Sequence, residues 1–515
     1  MAGLAYSLED SAPLGSARSA LFRGGLRGLA FGVGANVVAL RFVPGVITRF
    51  TPLPWAVGVV ALVLLAMAQA LRWVVAAWVR NALVRWRVPR PWAFAAAVYT
   101  GTFVPVIFPW NPAGGATLRP ELVQLADVIG ERGVSALMAL SAGLLAAAVR
   151  AFRAWRRGAR SPRNAIALAA CALAVPLLSA IHGRMRMAEV EALRARAETA
   201  NVALVQPSIG ATQRWDRHRA GEILSSLSDL TRRAERDGAE LTIWHESAYP
   251  YELAHTARQA PKGPHALLQE GVRGPVLAGL ILHGSDLDRS NSAMIAYADG
   301  TLSAPYDKLH LLWFGETVPL ADEIPWIRRT FARGLGLTRG EAQTVLVSGK
   351  IRASVLICFE DTLPAAGREA MGFSPNLLVN VTNDAWFTPL GGADTGRGIE
   401  QGRPKREDDE ASTESELHLR MAIMRSIEGR RDLVRAVNFG PTTWVDAAGR
   451  VRARYASTTP GTLLATPALL EWPATFYVRF GDLPFAVLVL ATTLSLGLVE
   501  KRRARPGRGA VTTDL

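Results

Sequence analysis

Three side chains stand out because each lies in an apolar, strand-like run: Glu246 in LTIWHESAYP, Lys308 in YDKLHLLWFGE and Cys358 in SVLICFED. A charged or reactive group is costly to bury in such a run unless it has partners or a task. A thiol, a carboxylate and an ammonium can together supply a nucleophile, a general base and a fixed positive charge. These are the groups that a covalent acyl transfer needs.

Cys358 is one of only two cysteines in the chain. The other, Cys171, lies inside the apolar run AIALAACALAVPLLSAI, where a small hydrophobic side chain is a sufficient explanation. We therefore expect no disulfide between them, which leaves Cys358 as a free thiol. The alternative for Cys358 is a structural core cysteine among Val, Leu and Ile.

The motifs around these residues resemble those of the nitrilase, or carbon–nitrogen hydrolase, superfamily, whose triad is Glu, Lys and Cys in this chain order. The resemblance is closest to its membrane-bound branch, the apolipoprotein N-acyltransferases, and runs from about Val202 to Tyr455 and more weakly through the N-terminal part. It rests on these stretches: Trp244-His245-Glu246-Ser247-Ala248 with Pro250, Tyr306-Asp307-Lys308 with Phe314-Gly315-Glu316, Cys358-Phe359-Glu360, and Asn380-Val381-Thr382-Asn383-Asp384-Ala385-Trp386-Phe387.

The resemblance implies a role for each catalytic group. Cys358 would attack an ester carbonyl and form a thioester, while Glu246 would take the thiol proton and pass a proton to the leaving group. Lys308 and the backbone N–H of Phe359 would stabilise the oxyanion. We expect no metal and no organic cofactor, because the eight histidines show no metal-ligand spacing and the glycines form no phosphate-binding loop.

The same resemblance assigns supporting residues. Glu316 would orient or neutralise Lys308, although a structural salt bridge is the alternative. Glu360, two residues after the nucleophile, would be a second supporting carboxylate. Trp215 matches a family tryptophan near the lipid entrance, but an interfacial aromatic anchor would look the same in sequence.

Four residues at and after the end of the predicted strand at 377–383 complete the expected substrate-binding set. Asn383 and Asp384 would hydrogen-bond the cysteine loop, or would cap a turn. Trp386 and Phe387 would line an acyl-chain pocket, or would pack in the core.

Three residues near the site depart from the pattern of the branch: His245 and Trp313 stand where proline is common, and Phe359 stands where tyrosine is frequent. None removes a catalytic group. We expect them to affect substrate fit and loop geometry.

The elements that must position these groups alternate between strands and helices. β-rich runs predict buried strands, and amphipathic segments predict helices. The strands are expected near 200–209, 241–248, 276–284, 292–298, 354–360 and 377–383, and the helices near 213–237, 253–270, 364–371 and 414–430. The resemblance implies a nitrilase-like α/β domain, an α-β-β-α sandwich with the triad at the strand ends. Residues 388–413, rich in glycine and charge, predict a mobile loop insertion, either a lid or a tolerated surface insertion.

Composition indicates a membrane protein. The chain has 515 residues, 50% of them hydrophobic, and a net charge of +14, and its mean hydropathy is +0.16. Much of the arginine forms short clusters between apolar runs, a topology signal that does not suggest a nucleic-acid partner. Six spans of roughly 20 apolar residues are predicted, near 24–44, 53–79, 91–110, 132–150, 163–182 and 476–499.

The basic clusters follow the second, fourth and sixth spans, which places those ends in the cytoplasm by the positive-inside rule. The expected organisation is a cytoplasmic segment at 1–23, a multi-span α-helical membrane domain at 24–183 with about five helices, a periplasmic catalytic domain at 200–470, a C-terminal span at 476–499 and a basic cytoplasmic tail at 500–515. No cleavable signal peptide is expected. Family members usually carry two further N-terminal spans.

These observations lead to one hypothesis with two alternatives. The chain would be a bacterial inner-membrane, multi-pass enzyme, expected as a monomer. It would move an acyl chain from a phospholipid, through a Cys358 thioester, to the α-amino group of diacylglyceryl-cysteine in a lipoprotein. The alternatives are a membrane-tethered amidase or nitrilase that uses water, and a non-catalytic nitrilase homologue that binds lipoproteins.

Overall fold

The computed structural model describes residues 1–9, 17–51, 53–158, 161–210, 213–284, 288–313, 315–317, 324, 336–387 and 413–503. The predicted loop at 388–413 therefore lies outside the described residues except for its last residue. The predicted tail at 500–515 is described only as far as residue 503.

The part of the chain before residue 200 is helical. Its helices are α1 (Ala2–Glu9), α2 (Ala17–Ala39), α3 (Val43–Phe50), α4 (Trp55–Arg85), α5 (Arg90–Gly101), α6 (Pro112–Gly115), α7 (Ala126–Arg156) and α8 (Arg163–Arg194). The C-terminal end adds two more helices, Phe476–Phe480 and Leu483–Arg503.

Among the described residues, four helices are long and apolar enough to cross a membrane: α4, α7, α8 and Leu483–Arg503. The pair α2 and α3, bent by 51° at a short break, would make a fifth. Large apolar side chains lie exposed on these helices, such as Leu173 on α8 and Leu490 near the C-terminus, at 69% and 60% exposed. Exposed apolar stripes of this kind are what lipid would cover, so the chain is a membrane protein.

The predicted spans and the observed helices differ in three places, of which the first is the bend between α2 and α3 inside the span predicted at 24–44. The span predicted at 91–110 contains α5, a helix of 12 residues, which at 1.5 Å per residue covers roughly 18 Å of a hydrocarbon core about 30 Å thick. The span predicted at 476–499 is divided into two helices, because Gly481 has a positive φ of 64° between them.

The catalytic part contains two mixed sheets. The first has the order β13-β1-β2-β4-β5-β6, with β3 paired to β4, and the second has the order β12-β11-β10-β9-β8-β7. The strands are β1 (Val202–Gln206), β2 (Leu241–Ile243), β3 (Glu252–Ala254), β4 (Val276–His283), β5 (Arg289–Ala296), β6 (Tyr306–Asp307), β7 (Val345–Ser348), β8 (Ile351–Ile357), β9 (Leu377–Thr382), β10 (Leu433–Val437), β11 (Thr442–Val445), β12 (Val451–Tyr455) and β13 (Gly461–Ala465).

The two sheets pack face to face on a shared apolar core, to which β1, β2, β4 and β5 contribute from one side and β8, β9 and β10 from the other. Helix α9 (Ala220–Arg236) covers the outer face of the first sheet. Helices α10 (Pro364–Met371) and α11 (Thr413–Gly429) cover the second sheet. Because the parallel strands β8, β9 and β10 are buried on both faces, their sequences are nearly continuous apolar runs. The predicted α-β-β-α sandwich is confirmed.

The helix predicted at 253–270 is wrong. Residues Glu252–Ala254 instead form β3, which pairs in parallel with the end of β4, and a short 3-10 turn follows at Gly263–His265. The segment contains two prolines, Pro261 and Pro264, which disfavour a continuous helix.

Candidate active site

The ends of three strands bring the predicted triad together. Glu246 follows β2, Lys308 directly follows β6 and Cys358 directly follows β8. The Lys308 Nζ atom lies 3.6 Å from Glu246 Oε1. Cys358 is near enough that the charges on both of these groups alter its pKa.

Glu246 is a buried carboxylate with a fixed orientation. Its Oε1 accepts a hydrogen bond of 2.7 Å from Asn291 Nδ2, and its Oε2 accepts one of 3.0 Å from the backbone N–H of Asn383. Burial raises the pKa of Glu246, Lys308 opposes that rise and Glu316 adds to it. A carboxylate with a raised pKa and one defined direction is suited to general base catalysis.

Lys308 is 1% exposed, and its ammonium is held mainly by Glu316. The Nζ atom lies 2.8 Å and 2.7 Å from the two Glu316 oxygens. Burial alone would lower the pKa of Lys308, but Glu316, Cys358 and Glu246 more than offset it, so the pKa is raised. Lys308 is therefore a permanent positive charge inside the site, and the predicted pairing with Glu316 is present.

Cys358 occupies the sharp turn between β8 and the 3-10 helix that follows, with a φ of 55° that is uncommon for a residue with a Cβ. Enclosure raises the pKa of its thiol well above the ordinary range, and Glu246 adds to this while Lys308 opposes it. The resting group is thus a thiol, so attack requires a base to take the proton. Glu246 is the carboxylate positioned for that task.

Glu360 joins the cysteine turn to the lysine segment. It is fully buried, and it accepts hydrogen bonds from the Tyr306 hydroxyl at 2.9 Å and from the backbone N–H groups of Ile357, Leu309 and His310 at 2.7, 2.8 and 3.0 Å. These bonds connect the β8 end to the residues after β6. Glu360 therefore fixes the position of the cysteine turn relative to the segment that carries Lys308.

Comparisons with known proteins match the sequence to a family. Residues 3–144 match the model described as apolipoprotein N-acyltransferase N-terminal domain, and residues 201–471 match the carbon-nitrogen hydrolase model. The apolipoprotein N-acyltransferase of Geobacter metallireducens is 30% identical over 93% of this chain and 87% of its own length. That of Bradyrhizobium diazoefficiens is 33% identical over 77% of this chain and 70% of its own length.

The chain belongs to the apolipoprotein N-acyltransferase family. It is accordingly an enzyme of the acyltransferase class with a carbon-nitrogen hydrolase domain. Among solved structures, an amidase from Nesterenkonia sp. is similar at 17% identity and a TM-score of 0.37, over 57% of this chain and 97% of that one.

The segment after β9 contacts the triad through the backbone of Asn383. Asn383 donates its backbone N–H to Glu246, while its Oδ1 accepts from Ala385 N at 3.3 Å and from Asn438 Nδ2 at 3.0 Å. Asn383 thus both caps a turn and orients the base.

Asp384 is fully buried in a cluster of charges. Arg435 Nη2 lies 3.1 Å from one of its oxygens, and His418 Nδ1 lies 3.3 Å from the other. Glu414 is also near, so Asp384, Glu414 and His418 bring ligand atoms within 4.8 Å of one another, a spacing that a metal ion could use. The Arg435 guanidinium already supplies positive charge there, which favours an ion-pair cluster over a metal site.

Trp386 and Phe387 lie where the catalytic domain meets the first helices. The Phe387 ring packs edge-on against Phe42, in the break between α2 and α3, with centroids 5.2 Å apart. Arg49 Nη2 on α3 donates to the Trp386 carbonyl at 3.0 Å. The side chain of Trp215 lies outside the described part, but the neighbouring Arg214 donates to the carbonyls of Ser247 and Tyr249, in the segment after Glu246.

A cavity of about 300 Å³ opens beside the nucleophile turn. It is lined by Phe359 and Leu309 from the catalytic part, and by Val106 and Ile107 from the helical part. Trp313, one of the residues that depart from the family pattern, also lines it and is 46% exposed. Both parts of the chain therefore form the walls of this cavity, which reaches Phe359, the residue after Cys358, although no residue of the triad is among those that line it.

His245, another departure, is fully buried, and its Nδ1 lies 2.8 Å from the Glu246 carbonyl. Burial lowers its pKa to about 3, so the ring is neutral at ordinary pH. It contributes packing and one contact beside the base.

Sequence reasoning missed four polar residues of the site. Asn291 on β5 bridges Glu246 and Glu316, and Asp361, His418 and Arg435 form the cluster beneath Cys358. Arg435 interrupts the apolar strand LVRAV, so the rule that singled out the triad, the cost of burying a polar group, could have found it too. Asn291 lies in the polar start of β5, RSNSAMIA, where that rule gives no signal.

Proposed function

We propose that this enzyme transfers an acyl chain from a phospholipid, through a thioester on Cys358, to the α-amino group of diacylglyceryl-cysteine at a lipoprotein N-terminus. One observation carries the proposal: a cavity with walls from both the catalytic and the membrane part reaches Leu309 and Phe359, the residues that follow Lys308 and Cys358 of the buried triad. A lipid ester can reach such a site from the bilayer, and the names of the relatives supply the lipoprotein acceptor.

The first half-reaction forms the thioester. Glu246 takes the Cys358 proton as Sγ attacks the ester carbonyl, and Lys308 stabilises the negative oxygen that develops. The tetrahedral intermediate collapses by breaking the bond between the carbonyl carbon and the ester oxygen. Glu246 returns its proton to that oxygen, and a lysophospholipid leaves.

The second half-reaction uses the same groups in reverse order. Glu246 takes a proton from the attacking amine, nitrogen adds to the thioester carbonyl, and the carbon–sulfur bond breaks to give an amide. The proton returns to Cys358 and restores the thiol. The raised pKa of the thiol supports this step, because the sulfur ends it protonated.

We place the enzyme in the bacterial inner membrane as a monomer, with its catalytic domain in the periplasm and Asn383, Asp384, Trp386, Phe387 and Trp215 near the lipid substrates. The arginine clusters that follow the second, fourth and sixth predicted spans support this orientation. The contact between Phe387 and Phe42 supports a lipid entrance near α2 and α3.

Mass spectrometry of a lipoprotein N-terminus tests the proposal. The wild-type enzyme, with phospholipid vesicles and a diacylglyceryl peptide, is expected to give an N-acylated peptide, and Cys358→Ala is expected to give none. The control is Cys171→Ala, because Cys171 is exposed on α8 and remote from the chemistry. Acylation by Cys358→Ala would contradict the thioester, and release of ammonia from simple amides without lipid would favour the hydrolase instead.

A further inference from the structure

A buried histidine lies directly beneath the nucleophile turn. His418 on α11 is 2% exposed. Its Nε2 lies 2.8 Å from Asp361 Oδ1 and 3.3 Å from the Cys358 carbonyl oxygen, and its Nδ1 lies 3.3 Å from Asp384 Oδ1. Both ring nitrogens thus face acceptors, which only a doubly protonated imidazolium satisfies.

The charges around this ring keep it protonated. Burial lowers the pKa of His418, but Asp361 and Asp384 outweigh burial and the opposing Arg435, so the pKa rises to about 10. Arg435 lies 3.5 Å from Asp361 and 3.1 Å from Asp384. The imidazolium is therefore a constant donor near neutral pH.

The Cys358 carbonyl that His418 contacts belongs to a strained turn. A φ of 55° is unfavourable for a residue with a side chain and persists only where neighbouring groups enforce it. Two donors contact this carbonyl: His418 Nε2 at 3.3 Å, whose single proton is shared with Asp361 Oδ1 at 2.8 Å, and Asn380 Nδ2 at 3.1 Å. The orientation of the carbonyl is thereby set from below the turn.

Fixing this carbonyl also fixes the adjacent N–H. The Cys358 carbonyl and the Phe359 N–H belong to one planar trans peptide, so they point in opposite directions. The donors on α11 and β9 that hold the carbonyl therefore turn the Phe359 N–H to the opposite side. That N–H is the backbone donor expected to stabilise the oxyanion.

We propose that His418 is a positioning residue that, together with Asn380, holds the Cys358 carbonyl and so aims the Phe359 N–H at the oxyanion. The inference rests on the proposed function, since the oxyanion forms only when Cys358 attacks an acyl carbonyl. His418 itself touches no reacting atom. Its effect should appear in the rate of acylation and little in donor binding.

Two amide substitutions separate the roles of the ring nitrogens. The side-chain nitrogen of His418→Gln reaches the place of Nε2 and can still donate to the Cys358 carbonyl. That of His418→Asn reaches only the place of Nδ1. The measurements are single-turnover formation of acyl-Cys358 from phospholipid vesicles, KM for the donor, and alkylation of Cys358 by iodoacetamide, which needs the thiol but no oxyanion donor.

His418→Asn is expected to slow acyl-Cys358 formation about a hundredfold, the usual cost of a small misplacement of catalytic groups. Its alkylation rate and donor KM should stay within about threefold of wild type, and His418→Gln should recover most of the acylation rate. Should His418→Asn fail to fold, Asn380→Ser, which removes the other donor to this carbonyl, is expected to show the same split between acylation and alkylation.

Other outcomes overturn the inference. Acylation by His418→Asn at the wild-type rate would do so, as would an equal loss of acylation and alkylation in both variants, which would make the cluster merely structural. Wild-type enzyme that forms no acyl-Cys358 would refute the proposed function itself, and is thereby distinguishable from a failure of the His418 inference.

Discussion

Replacing Glu316 by Gln should reduce the catalytic rate while leaving a side chain of the same shape beside Lys308. The triad region holds one ammonium between two carboxylates, with Lys308 Nζ 2.8 Å from Glu316 Oε1 and 3.6 Å from Glu246 Oε1. Glutamine keeps the shape and can still accept from Lys308, but it removes one negative charge. Of the two carboxylates, only Glu246 then keeps its negative charge. The Lys308 ammonium is therefore drawn toward Glu246.

The expected cost follows from two effects on the transition state. An ammonium displaced toward Glu246 stabilises the oxyanion less, and loss of one such donor costs about 10²–10³ in rate, or about 3–4 kcal/mol. The pKa of Glu246 should also fall, because Glu316 contributes to its rise. Since Glu246 must be unprotonated to act as a base, the acidic limb of the pH–rate profile should move to lower pH.

The assay is acyl transfer from phospholipid to a diacylglyceryl peptide, followed as kcat and kcat/KM across the acidic pH range. Glu369→Gln is the control, since Glu369 makes a solvent-exposed contact with His310 at 2.9 Å, and even exposed ion pairs contribute at most about 1 kcal/mol. A Glu316→Gln enzyme within threefold of wild type, or an acidic limb displaced to higher pH, would refute the reasoning.

Two further predictions concern the backbone that carries Glu246 and a buried ion pair between α11 and α7. Gly279→Ala should reduce activity about a hundredfold in steady-state kinetics. The new Cβ would lie 2.3 Å from the His245 carbonyl oxygen and must displace the backbone that carries Glu246. Arg425→Met should lower the free energy of unfolding by about 3–5 kcal/mol, measured by thermal unfolding in detergent. The substitution leaves Glu131, 2.7 Å from the guanidinium, as an uncompensated buried charge.

The Gly279→Ala and Arg425→Met predictions each have a matched control. Gly221→Ala adds the same methyl group at a helical position with open space around it, so activity should be retained. Arg352→Met breaks an exposed ion pair with Glu471, and the melting temperature should barely change. Equal activity of the two alanine variants, or equal melting of the two methionine variants, would contradict these explanations.

The sequence predicted best those features that a short segment determines. The strand expected at 377–383 is β9, Leu377–Thr382, and the helix expected at 364–371 is α10. The pairing of Lys308 with Glu316 was also predictable, because both lie in one motif. In each case the information lies within about ten residues.

Features that depend on distant partners could not be predicted in this way. β3 exists because Glu252–Ala254 pairs with β4, and no local pattern reveals that edge. Asn291 reaches both carboxylates only because β5 lies between β4 and β6. The bond between Arg425 and Glu131 joins residues 294 positions apart, and its prediction would require the packing of α11 on α7 to be known.

Helix α11 links the membrane helices to the nucleophile. His418 supports the Cys358 carbonyl, and Arg425, about two turns further along, pairs with Glu131 on α7. The Glu131 backbone N–H in turn donates to Glu428 at 2.8 Å, next to the kink of α7 at Gly130. Because one rigid helix carries both contacts, a shift of α7 relative to the sandwich would strain the nucleophile turn. On the proposed function, in which lipid substrates arrive from the bilayer, α11 would hold the membrane helices at a fixed distance from the Cys358 sulfur.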